Sequence, residues 1–247
     1  MTDAGQAIDL TGRTALITGA SRGFGAAVAT ALGRAGARLV LTARTVGGLE
    51  ETDDAIRAAG GAAATLIPLD LADLDKVDAL GPALYERFQC LDILVSAAAT
   101  LQALSPVSHM QPAHWATTFR VNVEAGFRLI RTLDPLLRRA PAGRAVFVTD
   151  SAGRPGTAYW NAYAASKAAL DTLVLSWAGE LLRTPLRVNL YDPGPMRTGL
   201  RAIAFPGEDP QGRALPAERV ASLLPLLAPD ATAHGTRVSA GDQAGLA

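Results

Sequence analysis

Short uninterrupted apolar runs alternate along this chain with longer stretches of helical character. The runs are Thr14–Thr18, Arg38–Thr42, Ala64–Pro68, Leu91–Val95, Ala145–Thr149, Arg187–Tyr191 and Thr236–Ser239. Continuous apolar character, seen best in Ala145-Val-Phe-Val and Asp92-Ile-Leu-Val, predicts parallel strands buried on both faces. The longer stretches Gly23–Ala35, Gly47–Ala59, Asp73–Phe88, Pro112–Arg139, Tyr159–Arg183 and Pro216–Leu227 predict helices. Their alternation predicts an α/β fold, a single doubly wound domain over residues 1–247. Its seven-stranded parallel sheet has helices on both faces. No linker divides the chain and no long period repeats. The stretch Pro193–Pro216, rich in Pro and Gly, predicts a long loop with a short helix, and such loops are usually functional.

Composition narrows the function classes. Hydrophobic residues make up 49% and charged residues 19%, which suits a large core. The formal net charge is zero, so nothing draws the chain to nucleic acid or to a membrane surface. No apolar run approaches the ~18 residues of a membrane span. The start MTDAGQAIDLTG lacks the basic and apolar segments of a signal peptide. Cys90 is the single cysteine, an expected inert core thiol beside Leu91–Val95. These features predict a cytoplasmic protein. His109 and His114 are badly spaced for a metal pair and no Cys/His cluster exists, so no metal is expected. Of 23 basic residues only two are lysines, Lys76 and Lys167, which makes a lysine in a motif informative.

Three patterns carry chemistry. The segment Thr18-Gly19-Ala20-Ser21-Arg22-Gly23-Phe24-Gly25 follows the first strand and opens a helix. Glycines there let the backbone approach a pyrophosphate, whose charge rests on the helix N-terminus. The second strand ends in Thr42-Ala43-Arg44, with no acid for a ribose 2′-hydroxyl. Arg44 and Arg22 instead suit a 2′-phosphate, so NADP(H) is expected over NAD(H). In Tyr163-Ala-Ala-Ser-Lys167 the phenol and the ammonium share one helix face. A phenol is a poor base near neutrality, and a neighbouring ammonium lowers its pKa. Tyr163 is then an acid/base candidate for a carbonyl or alcohol.

The glycine turn, Asn122 in Arg120-Val-Asn-Val, Tyr163-x-x-x-Lys167 and Pro193-Gly194-x-x-x-Thr198 occur in this order. Together they resemble the short-chain dehydrogenase/reductase family, which has a Rossmann fold. Segments Ala158–Leu170 and Leu200–Pro210 are similar to its bacterial YciK-like branch, which brings no assigned substrate. The resemblance implies Tyr163 as acid/base, with Lys167 lowering its pKa and holding the nicotinamide ribose. It implies Asn122 as holder of a relay water, a role compatible with satisfying a kink in its long helix. It places Asp70 and Leu71 near the adenine, and Ala97 against the cofactor. Gly19, Ser21, Arg22, Phe24 and Gly25 would line the turn. Pro193, Gly194, Met196 and Thr198 would hold the nicotinamide end.

Two departures stand out. The family's Asn-Asn-Ala-Gly is here Ser96-Ala97-Ala98-Ala99, and Ala99 needs backbone angles that a Cβ tolerates. The family's substrate-orienting serine, thirteen residues before the tyrosine, is here Asp150, flanked by Thr149 and Ser151. An ionised Asp cannot donate to a carbonyl and raises the pKa of a nearby phenol. Two alternatives stay open: a protonated Asp150 that donates, or a shift that brings Ser151 inward. Arg154, Tyr159 and Trp160 either line a substrate pocket or cover the core. Met196, Leu200, Ile203 and Phe205 suggest a partly apolar substrate. The expected function is an NADP(H)-dependent oxidoreductase acting on a small carbonyl or alcohol. The alternative is a dinucleotide-binding module with impaired catalysis. The resemblance implies a homodimer or homotetramer paired through the long helices Pro112–Arg139 and Tyr159–Arg183, whose apolar residues, Leu170, Leu173, Val174, Trp177 and Leu181 among them, exceed what one core-facing stripe needs.

Overall fold

The computed structural model describes residues 8–151 and 156–240. Its strands are β1 (Thr14–Thr18), β2 (Arg38–Ala43), β3 (Thr65–Pro68), β4 (Ile93–Ser96), β5 (Arg144–Val148), β6 (Arg187–Asp192) and β7 (Arg237–Ser239). All pair in parallel in the order β3-β2-β1-β4-β5-β6-β7. The order reverses between β1 and β4, and the crevice beyond the carboxyl ends of these strands is where such sheets bind ligands.

Strand side chains alternate between two cores, one per face. Leu16, Val40, Leu94, Phe147 and Leu190 join one core. Helices α3 (Leu74–Phe88), α5 (Ala125–Arg139) and α6 (Asn161–Glu180) cover that face with Leu80, Leu133 and Val174. Ile17, Leu41, Val95, Val148 and Tyr191 join the other core. There α1 (Gly23–Arg34), α2 (Val46–Ala58) and a short α8 (Leu224–Leu227) contribute Val28, Ile56 and Leu227. Parallel strands demand this double coverage, which is why they lack alternating polar positions.

The structure corrects the sequence reading at three elements. The helix expected over Pro112–Arg139 is α4 (Pro112–Phe119) and α5 joined by a π-turn at Arg120–Glu124. The Asn122 side chain, in that turn, is tied to the backbone of Thr100. The helix expected over Pro216–Leu227 breaks into a turn at Pro216–Arg219 and α8. Pro225 is the cause: it lacks an N–H and its ring opposes the carbonyl four residues back. On α6, Leu170, Val174, Trp177 and the following Leu181 are buried in the core, so they are not a surplus for a partner. Leu175 and Leu182 are the exposed apolar residues of that region. Among the described residues, no helix is long and apolar enough to cross a membrane.

Candidate functional site

The crevice begins at the glycine turn. Gly19 has φ +67°, and a Cβ there would lie 2.8 Å from the Ala98 Cα. A Cβ on Gly25 would lie 2.3 Å from the Gly19 carbonyl oxygen. Only glycine admits this packing. Helix α1 then opens with no side-chain cap and no acidic residue in its first turn. Its free N–H groups and dipole favour an anion. Phe24 is buried and stacks on Tyr191 at 5.7 Å. Ser21 packs against Gly48, where a Cβ would approach to 2.9 Å, so the start of α2 closes on the turn.

Thr18 is the residue that sequence reasoning missed. Its Oγ1 accepts from the N–H groups of Ala97 and Ala98, each at 3.2 Å. Thr18 thus ties β1 to the segment after β4. Its place as the last residue of β1 before Gly19 was the available signal. Ala99 is unstrained: Gln89 and Tyr159 are the only described non-glycine residues with positive φ.

At the end of β2, Arg44 is exposed. Nearby Thr42 Oγ1 is buried without a hydrogen-bond partner. Arg22 is exposed and its guanidinium lies about 4 Å from a Cβ built on Gly199. Asp70 is exposed and accepts from the Ala72 N–H at 2.9 Å, while Leu71 is buried.

The loop after β6 roofs the turn. Gly194 has φ +68° and donates its N–H to Asp192 Oδ1 at 2.9 Å, beside the buried Pro193. Met196 bridges to Ala214, closing the loop at its base. Within it, α7 (Gly199–Ala204) is capped by Thr198 Oγ1, which accepts from the Arg201 N–H. The Thr198 methyl lies 3.5 Å from a Cβ built on Gly23. Glu208 accepts from Arg201 at 2.6 and 2.7 Å and from Arg213 at 2.9 Å. Those hydrogen bonds hold the Glu208 carboxyl down to about 2.

Across the crevice, Tyr163 is buried on α6 and its hydroxyl donates to Asp150 Oδ2 at 3.0 Å. Ser151 is exposed and its N–H donates to Asp192 Oδ2 at 3.0 Å. Asp150 therefore faces Tyr163. Lys167 Nζ donates to the Val148 carbonyl at 2.9 Å and lies 5.8 Å from the centre of the Tyr163 ring. Asn122 donates to the Thr100 carbonyl and to Ser166 Oγ, both at 3.0 Å, and accepts from the Thr100 N–H at 2.8 Å. Ser166 in turn donates to the Tyr163 carbonyl at 2.7 Å. The π-turn, the Thr100 segment and the start of α6 are thereby locked together.

The electrostatics reverse one expectation. Burial pushes the Tyr163 phenol well above its ordinary pKa, and the charge and hydrogen bond of Asp150 push it the same way, as does Asp192. The lowering expected from Lys167 does not prevail: burial is the largest cause, and the charges of Asp150 and Asp192 both push upward. Behind this pair runs a buried ionic chain. Arg237 on β7 reaches Asp192 at 3.1 Å and Asp171 at 3.4 Å, and Asp171 accepts from Thr149 Oγ1 at 2.6 Å.

The walls mix apolar and polar side chains: Gln102, Thr118 and Asn161 line the cavity beside Tyr163, and the Arg201 guanidinium lies 3.7 Å from the centre of the Phe205 ring. Trp160 is buried, 5.7 Å from the Tyr163 ring and 6.0 Å from Phe205. Leu101, Leu104 and Leu200 pack on the same cluster. Tyr159 and Ile203 are exposed, Met196 packs on the core, and Arg154 lies outside the described residues. Cys90 is half-buried rather than a core thiol, and His109 and His114 are exposed. Among the described residues no group of side chains is arranged to hold a metal ion.

Known proteins resemble this arrangement over nearly the whole chain. The short chain dehydrogenase family profile matches residues 13–209. The oxidoreductase YciK of Escherichia coli is 36% identical over 223 residues, 90% of this chain and 88% of that protein. A short chain dehydrogenase structure from Pseudomonas syringae superposes with a TM-score of 0.92 at 36% identity, covering 97% of this chain and 99% of that one. Another, from Escherichia coli and complexed with NADPH, gives 0.91 at 34% identity, covering 96% and 100%.

Proposed function

The chain belongs to the short-chain dehydrogenase family of oxidoreductases, and from that premise we propose that it binds NADP(H) and reduces a carbonyl or oxidises an alcohol. The crevice fits the dinucleotide. The uncapped start of α1 and the glycine cradle suit the pyrophosphate, held by Gly19, Ser21, Arg22, Phe24 and Gly25. Asp70 and Leu71 would flank the adenine. Ala97, Pro193, Gly194, Met196 and Thr198 would line the nicotinamide half. Once bound, the cofactor supplies the hydride, and the protein supplies position and electrostatics.

The observation that carries the reading is Tyr163 and Lys167 side by side on α6, locked by Ser166 and Asn122. Tyr163 hands its proton to the forming alkoxide, and Lys167 anchors the nicotinamide ribose. Asn122 holds the helix open at the π-turn, where a relay water would enter. Consumption of NADPH with a panel of aldehydes and ketones tests this. Turnover is expected. NADPH binding with no turnover favours the second reading, a dinucleotide-binding module, for which Asp150 beside Tyr163 is the supporting observation.

NADPH should bind about tenfold or more tightly than NADH, since charge-assisted contacts contribute about 1.5–3 kcal/mol before screening. Arg44 should carry most of that preference, because Arg22 lies beside Gly199. Calorimetric titration of wild type and Arg44→Ala checks both points; equal affinities in the wild type would refute the arginine reading.

The protein should also be a homodimer or homotetramer. The outer side of α6 presents Ala164, Ala165, Ala168, Thr172 and Leu175 along a groove of about 690 Å³. Small side chains let a second helix approach closely, and two-fold symmetry lets the same face meet itself. Light scattering at micromolar concentration is expected to give a multiple of 25.6 kDa; a monomer alone would count against it. A cytoplasmic location belongs to the same proposal, since the single cysteine has no partner in the chain for an internal disulfide.

A further inference from the structure

We infer that Glu208 is a positioning residue for this site: by clamping the Arg201 guanidinium on Phe205 it holds α7 against Tyr163 and keeps one wall of the substrate site in place. The inference rests on the preceding reading that a carbonyl or alcohol reacts at Tyr163.

The need for a clamp follows from length. Helix α7 has six residues, and a helix so short does not hold itself in water. Yet its Leu200 and Ala204 pack in one cluster with Tyr163, Trp160 and Leu101. The loop that carries α7 is closed at its base, where the Arg197 N–H donates to the Ala214 carbonyl at 2.9 Å. Glu208 closes it a second time, higher up. Its Oε2 accepts from Arg201 Nε at 2.6 Å. Its Oε1 accepts from Arg201 Nη2 at 2.7 Å and from Arg213 Nε at 2.9 Å. One carboxylate thus joins α7 to the returning segment of the loop.

The geometry of Arg201 gives the clamp a direction. Paired hydrogen bonds along one edge fix the plane of a guanidinium and leave its faces free. One face lies over the Phe205 ring, 3.7 Å from its centre. The Phe205 ring lies 6.0 Å from that of Trp160, which lies 5.7 Å from that of Tyr163. Glu208 is therefore connected to the reacting phenol through a continuous chain of side-chain contacts. Isolated surface ion pairs contribute little, but bidentate and networked pairs are the exception. The Arg201 and Glu208 side chains are only 18% and 20% exposed. A substrate whose body reaches Phe205 and Trp160 meets a wall that needs no ordering when it binds. A substrate too small to reach them is indifferent to the clamp.

Hydrogen exchange and turnover test this separately. The amides of Ala202 and Phe205 donate to the carbonyls of Thr198 and Arg201 and report on α7 without any cofactor. Glu208→Gln, of equal size, should speed their exchange about tenfold or more, because opening α7 no longer breaks the clamp. In turnover with NADPH, Glu208→Gln should raise the KM of acetophenone about tenfold, the lower end for one lost apolar contact in a pocket. Its kcat should hold, as when ground state and transition state lose the same contact, and the KM of acetone should barely move. Arg201→Lys keeps the charge and offers Phe205 no flat face, so it should act alike, and the double variant should add nothing further. Cofactor binding and thermal melting report whether each variant folds. Wild-type exchange of α7 in Glu208→Gln, or equal changes for acetone and acetophenone, would overturn the inference and leave the preceding reading standing. NADPH binding without turnover of any ketone would bring down both.

Discussion

Replacing Tyr163 with phenylalanine is expected to cut NADPH-dependent carbonyl reduction by about 10²–10⁴-fold, the usual worth of a positioned general acid. The substitution removes one oxygen and leaves the ring that packs on Trp160. The variant should therefore fold and still bind NADPH, which separates lost chemistry from lost structure. The same hydroxyl sets the pH dependence. Burial, Asp150 and Asp192 all push the phenol well above its ordinary value. Reduction needs the protonated phenol, so its rate should stay level through the neutral and mildly alkaline range. Alcohol oxidation needs the phenolate, so its rate should climb with pH and not level off below the ordinary phenol value of ~10. Asp150→Ser removes one cause of the upward shift and should move the oxidation limb to lower pH. Paired pH–rate profiles check this. An oxidation limb that already levels off near neutrality in the wild type would contradict the assigned direction.

Arg237→Met should lower the stability of the protein by about 2–4 kcal/mol, below the usual cost of breaking a buried ion pair because the arginine is partly exposed. The two carboxylates it bridges are almost fully buried, at 7% and 3% side-chain exposure, against 26% for the guanidinium. Losing that bridge leaves Asp171 and Asp192 to share a low-dielectric region without it. For a chain of this length the melting temperature should fall by roughly 5–15 °C. Activity should fall as well, because Asp192 holds the N–H groups of Ser151 and Gly194, on either side of the site. Arg237→Lys retains the charge and should lose less. Thermal melts of both variants decide the matter; a Met variant as stable as wild type would show that the chain of charges contributes nothing net.

Much of the fold was legible in the sequence because it rests on local physics. Apolar runs such as Ala145-Val-Phe-Val, short and alternating with helical stretches, suit strands covered on both faces, and the seven strands do make one parallel sheet. Strand ends were predicted to within two residues, since a change of period marks them. The glycine turn was legible too, because the contacts of Gly19 and Gly25 admit no other residue. Less legible were the breaks. The π-turn at Arg120–Glu124 depends on Asn122 meeting Thr100, a partner 22 residues away, and no helical periodicity records that. The break before α8 was present as Pro225 but was outweighed by the run of leucines around it.

The chemistry divides in the same way. The sequence by itself determined which groups stand in the crevice: Tyr163, Lys167, Asn122 and an Asp in place of a serine. Their types and spacings are covalent facts. Only the tertiary structure decided how they act on one another. It turned Asp150 rather than Ser151 toward Tyr163. It gave the tie between β1 and the segment after β4 to Thr18. It buried the phenol and set Asp150 and Asp192 near it, so that burial and carboxylates govern Tyr163. The physical reason is range. Helix and strand periods follow from neighbours a few residues apart, whereas a pKa follows from charges and solvent within a few ångströms in space. Here those charges, Asp150 and Asp192, come from the ends of β5 and β6, which only the folded sheet brings beside Tyr163 on α6.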